Sequence, residues 1–191
     1  MRNMRWMMLA TLLLLPVVAT ADQVLPGPDA LGLYFDPEAG SVDLSLLAPG
    51  TYQVDLILTR PTMEFITGWQ TSFAIVGGAL ITGVELPVGA TATSGGPTDF
   101  AATMSTPMPA TMLTKLAVFT VESTALENAE FFLGAVASPA VPGNLPCVRL
   151  PGDIWQQVVV ASGDPSIPVA SVSTQTSDQG TSWGQVKSLF R

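Results

Sequence analysis

The chain has 191 residues with seven basic against fifteen acidic side chains, a formal net charge of −8, and no histidine. Lack of imidazole excludes Ser–His and Cys–His nucleophile pairs, His-containing zinc sites and the commonest general base. The acidic balance, without clustered Lys or Arg, gives a surface that repels nucleic acid and anionic membrane.

In chain order, Arg2 and Arg5 precede an almost unbroken apolar run from Trp6 to Val18, and Ala19-Thr20-Ala21 follows as an A-x-A cleavage site. This predicts a secretory signal peptide over residues 1–21, and so a secreted protein, whether extracellular, at the cell surface or periplasmic. The run is shorter than the ~20 residues that span a bilayer, and Pro16 interrupts it. Later apolar runs are cut by Gly, Pro or charge, so no membrane span is expected. Without Arg2 and Arg5, five basic residues face fifteen acidic ones, a net charge of −10.

From residue 22 onward the chain reads as short strands. "LGLYFD" and "SVDLSLL" come first. In "TYQVDLIL", Tyr52, Val54, Leu56 and Leu58 share one face against Gln53 and Asp55. In "GWQTSFAIV", Trp69, Thr71, Phe73 and Ile75 oppose Gln70, Ser72 and Ala74, so Trp69 is expected in the core. "ALITGVEL", "TDFAAT", "KLAVFTVES", "EFFLGAVA", "PCVRL", "IWQQVVVAS" and "SIPVASVS" follow, separated by Pro- and Gly-rich turns. Nine to eleven strands without crossover helices predict one all-β domain over residues 22–173, an antiparallel two-sheet sandwich of jelly-roll type. A domain this long buries enough surface to need no disulfide framework. Its single Cys147 is expected as a small buried hydrophobe, with an intermolecular disulfide as the alternative.

Residues 174–180 form a polar linker by composition. In "TSWGQVKSLFR", residues 181–191, Ser182 and Gln185 make a capping-box pattern. Trp183, Val186, Leu189 and Phe190 fall on one helical stripe, with Lys187 and Arg191 near the C-terminal end of the dipole. This predicts a short amphipathic helix, too short to be stable alone in water. Three roles stay open for it: docking on its own domain, recognition by secretion or cell-surface machinery, and binding another protein or a lipid surface.

The order "YQVDLIL", "GWQTSFAI", "ALITGVEL", "DFAATMS", "LAVFTVES", "FFLGAVA" resembles that of cohesin-like β-sandwiches over roughly residues 30–172. The resemblance implies a non-catalytic protein-binding module, with dockerin as the family's best-known partner. The Tyr-Asp-Pro turn usual in that family is replaced here by "IVGGAL". The "GLYFD" opening and the "WGxVKxL" tail also resemble secreted bacterial proteins.

Three chemistries remain. A carboxylate-pair glycosidase would draw on Glu64, Glu85, Asp99, Glu122 or Asp153. Carbohydrate binding would use Trp155, the tryptophan better placed to face outward. A structural calcium would use Asp36, Glu38 and Asp43 in "FDPEAGSVD". The reading that fits best is a secreted, non-catalytic binding or structural module, with a protein as its partner and no cofactor. Carbohydrate binding is the alternative, ahead of glycoside hydrolysis.

Overall fold

Successive side chains on a strand point to opposite faces, so the fold is set by what covers each face. A computed structural model describes residues 26–46, 48–94, 98–123 and 127–174. Among these are thirteen strands and no helix. One sheet contains β1 (Ala30–Tyr34), β3 (Gly50–Thr59), β5 (Ala79–Glu85), β8 (Leu113–Ser123) and β12 (Val159–Val160), in the order β12-β1-β3-β8-β5. The other runs β11 (Ile154–Gln157), β10 (Cys147–Leu150), β4 (Phe65–Gly77), β9 (Ala129–Gly134), β13 (Ala170–Thr174) and β2 (Asp43–Leu46). On the far edge of β4 lies β7 (Asp99–Pro109), which carries β6 (Ala90–Ala92) in turn.

The expected sandwich is present, with two corrections. Both sheets are mixed, because β1 pairs β12 in parallel and β2 pairs β13 in parallel. These pairs join strands more than a hundred residues apart, a separation across which a parallel arrangement is as accessible as a hairpin is for neighbours. The strand count exceeds the expected range because "IWQQVVV" divides at Val158 into β11 and β12, one in each sheet, and because the short β6 forms in a stretch read as a turn. Strand β13 also runs through Thr174, the first residue of the expected linker. The signal peptide with Ala19 and Ala21, the remainder of the linker, and the tail with its helix lie outside the described residues.

Between the sheets the alternating rows close over one another. Trp69, Phe73, Val54, Leu56, Leu58, Phe119, Val121, Phe131 and Leu133 are all buried. Phe73 is the hub, with its ring 4.9 Å from Phe119 and 5.9 Å from Phe131. Phe100 extends the cluster from Phe119 at 5.4 Å, and Phe35 extends it from Phe131 at 6.3 Å.

A second, smaller cluster sits outside the first sheet, where Tyr34, Ala39 and Ile57 are buried together. The turn after β1 folds back to make it. Asp36 Oδ1 accepts the backbone N–H of Glu38 at 3.0 Å and of Gly40 at 2.9 Å, and Ala39 adopts φ 55°. Strand β3 is therefore half-buried at its start and covered on both faces at its end.

Three of the chain connections between the sheets gather at one end: 46–50, 77–79 and 123–129. Gly77 makes the second of these with φ 111°, and a Cβ there would stand 2.0 Å from the Asn128 carbonyl oxygen. Only glycine meets both conditions.

Removing the central ring tests the core. Phe73→Ala is expected to lose about 3–5 kcal/mol of unfolding free energy in urea melts. The phenols give a second test. Burial pushes Tyr34 and Tyr52 up to about 12, and Asp36 adds to the effect on Tyr34. Unfolded phenols ionise near their ordinary ~10, so between about pH 10 and 12 the unfolded chain binds fewer protons than the folded one. Stability should fall across that window. These are the chain's two tyrosines, so phenolate absorbance should rise in the same cooperative step as loss of the β-sheet circular dichroism.

Candidate functional site

The two outer faces differ in cover. Strands β9 and β10 lie end to end along the same edge of β4, with Gly134 opposite Ser72 and Cys147 opposite Gln70. Residues 135–146 leave that path and cross the outer face of the second sheet before returning. The Ala137 N–H donates to Asp99 Oδ1 at 2.9 Å, and the Ala140 N–H to Gln70 Oε1 at 2.8 Å. Gln157 Nε2 donates to the Pro142 carbonyl at 3.1 Å. Cys147 is buried and free, as the small-hydrophobe reading expects, and burial pushes its thiol up.

Strands β3, β8 and β5 of the first sheet present an open ladder instead. Its register gives three outward rows: Thr51, Glu122 and Leu80; Gln53, Thr120 and Gly83; Asp55, Val118 and Glu85. Lys115 stands beside the last row, its Nζ 2.5 Å from Asp55 Oδ2. Only 10% of the Asp55 side chain is exposed, so the lysine compensates a nearly buried charge. Glu85 and Glu122 have no ion-pair partner among the described residues.

A notch of about 160 Å³ opens at the end of this face, lined by Glu85, Leu86, Pro87, Lys115, Ala117 and Val118. Leu80, 45% exposed, and Val118 supply the aliphatic surface of the face. The face is thus a mosaic of aliphatic, hydroxyl and acidic groups. A bulge between Ile81 and Gly83 twists β5, which protects its open edge against indiscriminate strand pairing.

The structure scatters the residues singled out in the sequence. Trp155 lies half-buried on the outer face of the second sheet, opposite Arg149. The guanidinium carbon of Arg149 stands 5.8 Å from the centre of the indole, on the face a sugar ring would take. Arg149 also reaches the Thr67 carbonyl at 3.1 Å and Asp153 at 3.4 Å.

Of the five acids considered for a catalytic pair, Asp99 accepts the Ala137 N–H and Asp153 meets Arg149. Glu122 lies opposite Leu80 and Glu85 opposite Val118, four residues apart on β8 or about 13 Å along the strand. Glycosidase carboxyls stand about 5–9.5 Å apart. Glu64 lies at the far end of β4, where its carbonyl accepts the Ala110 N–H.

In the calcium candidate, Asp36 holds its own turn and Asp43 Oδ1 accepts the Ser171 hydroxyl at 2.6 Å. Among the described residues, no three His, Cys, Asp or Glu side chains stand together as metal ligands.

No family model and no curated protein matches the chain. Among solved structures it is similar to three cohesin modules. The third ScaB cohesin of R. flavefaciens, in complex with a group 1 dockerin, is 13% identical with a TM-score of 0.49. The match covers 76% of this chain and 95% of that one. A cohesin module from a family 33 glycoside hydrolase of Clostridium perfringens is 6% identical over 76% of this chain and 98% of its own, with a TM-score of 0.44. The sixth cohesin of Acetivibrio cellulolyticus scaffoldin B, in complex with a dockerin, is 11% identical over the same shares, with a TM-score of 0.38. The protein's own strands define its class, an all-β two-sheet sandwich.

The ion pair on the open face can be tested directly. Lys115→Met should leave Asp55 uncompensated and lower stability by about 1–2 kcal/mol in denaturant melts, between the values for exposed and buried pairs. Asp55→Asn in that background should recover part of the loss.

Proposed function

We propose that this protein is a secreted, non-catalytic binding module whose ligand is another protein. The observation that carries the reading is the open β3–β8–β5 face. It is an uncovered three-strand surface mixing aliphatic side chains with two carboxylates that have no ion-pair partner among the described residues. A protein partner suits such a face. Its rows are shallow, its polar groups are spread rather than convergent, and the notch at its end has the size of a single side chain. A small-molecule site is typically a deeper concavity of ~300–1,000 Å³ with converging polar groups.

Secretion is supported by the N-terminal sequence, with its two arginines, apolar run and A-x-A site. Absence of histidine and the ~13 Å spacing of Glu85 and Glu122 along the strands favour binding over catalysis. The acidic bias of the face favours a partner surface with basic side chains.

Gly83 is the place to test this. A Cβ there meets only the Thr120 side chain at 3.5 Å, an ordinary contact, so a long side chain fits without strain. Gly83→Arg puts bulk and positive charge in the middle row of the face, on its edge strand. The mature protein, immobilised through its N-terminus, should retain a protein from its host's extracellular fraction that the Gly83→Arg variant does not. The melting temperature of the variant should match the parent's. Equal retention by both proteins, or by neither, removes the binding site from this face.

A further inference from the structure

We infer that the C-terminal tail, residues 183–191, seats in a groove on the opposite face of the sandwich, in the same molecule. The groove holds about 300 Å³ on the outer side of β4 and β9, beside the crossing segment 135–146. Its lining includes Ser72, Ala74, Phe132, Gly134, Asn144 and Pro165. Ala74 and Phe132 face each other across the two strands, and Val76, 60% exposed, continues the apolar row. An outer sheet face normally carries polar groups, so this row marks a surface shaped for cover.

Small size selects the occupant. A folded partner covers ~800 Å² on its side of a standard interface, whereas this groove accepts one or two large side chains. The tail offers such groups on one stripe, Trp183, Val186, Leu189 and Phe190, in a segment too short to hold helical shape unsupported.

Reach agrees. Strand β13 ends at Thr174, next to β9 in the sheet, with Ser171 opposite Glu130 and Ala170 opposite Phe131. From Thr174 back to the level of Phe132 is about 17 Å along β13, and the eight residues 175–182 extend to about 27 Å. The path passes over Ser171 and Ser173, whose short side chains leave it low.

Charge agrees as well. Two of the five basic residues of the expected mature chain, Lys187 and Arg191, stand in its last five positions. Glu130 is exposed between Val76 and Ser171 at the groove's end, with no ion-pair partner among the described residues. A tethered segment meets such a site at ~mM effective concentration, so modest contacts suffice to hold it.

The test uses the full mature chain labelled with 5-fluorotryptophan, whose three fluorine resonances report Trp69, Trp155 and Trp183. Trp183→Phe assigns the tail signal. In the folded protein that signal should stand away from its position in the urea-unfolded chain, and should stay there on dilution far below the ~mM tethered concentration. Ala74→Arg, which fills the groove from an exposed position, should return it to the unfolded position, as should Lys187→Glu with Arg191→Glu. Adding Glu130→Lys to the tail double variant should displace it again. Gly83→Arg, on the other face, should leave it unmoved, so failure here and failure of the binding face are separable. A tail signal at the unfolded position in the parent protein, or one indifferent to Ala74→Arg, overturns the inference. So does a displacement lost on dilution, which assigns the groove to the tail of a second copy.

Discussion

Everything in this structure depends on the contact of Phe73 with Phe119 and Phe131, where the inner rows of the two sheets meet. Phe73 belongs to β4 and Phe119 to β8, strands of different sheets whose rings stand 4.9 Å apart. Phe131 locks β9 to the same hub from beside β4. Once these rings are buried, the phase of every residue on those strands is set, because a slip of one position would turn a phenyl ring into water. Thr120, Glu122 and Gly83 then face outward on one side, and Ala74, Val76 and Glu130 on the other. Both functional readings are consequences of that phase.

The two outer faces are finished differently, and chain connectivity is the cause. The second sheet carries the 135–146 excursion, because β9 and β10 share one edge of β4 and the chain between them has nowhere to go but across the face. Gln70 and Asp99 accept its backbone N–H groups, which would otherwise lie unpaired against the sheet. Among the described residues, the first sheet has a cover only at its β1 end, where the turn held by Asp36 folds over Tyr34 and Ile57. Its β3–β8–β5 end stays bare. Lys115 makes that possible by compensating Asp55, so that an outward-facing charge is tolerated at the border between covered and open surface.

Much of the inner architecture was legible in the sequence. Alternation placed Trp69 and Phe73 inside and Gln70 and Ser72 outside, and both placements hold, since β4 spends most of its length with one face in the core. The same reasoning set Asp55 with Gln53 on the polar face, but Asp55 is buried there, because the cover on the outer side of β3 comes from a turn in another part of the chain, which no local period reports. Its one sequence signal was an acid amid the aliphatic second half of "TYQVDLILT". The candidate face was not legible at all, because Glu122 and Leu80 become neighbours only through strand pairing. Trp155, read as the tryptophan better placed to face outward, lies on an outer face, but Arg149 occupies the ring, through a pairing the sequence does not display.

By itself the sequence determined the all-β class, the identity of the inner rows and the missing imidazole chemistry, because these depend on composition and on a two-residue period carried within each strand. Tertiary structure alone decided the mixed sheets, the edge shared by β9 and β10, and which outer face stays open. Those features arise from pairing between strands up to 129 residues apart, as in Ala30 with Val159. Local periodicity specifies which side of a strand turns inward, but not which strand lies beside it.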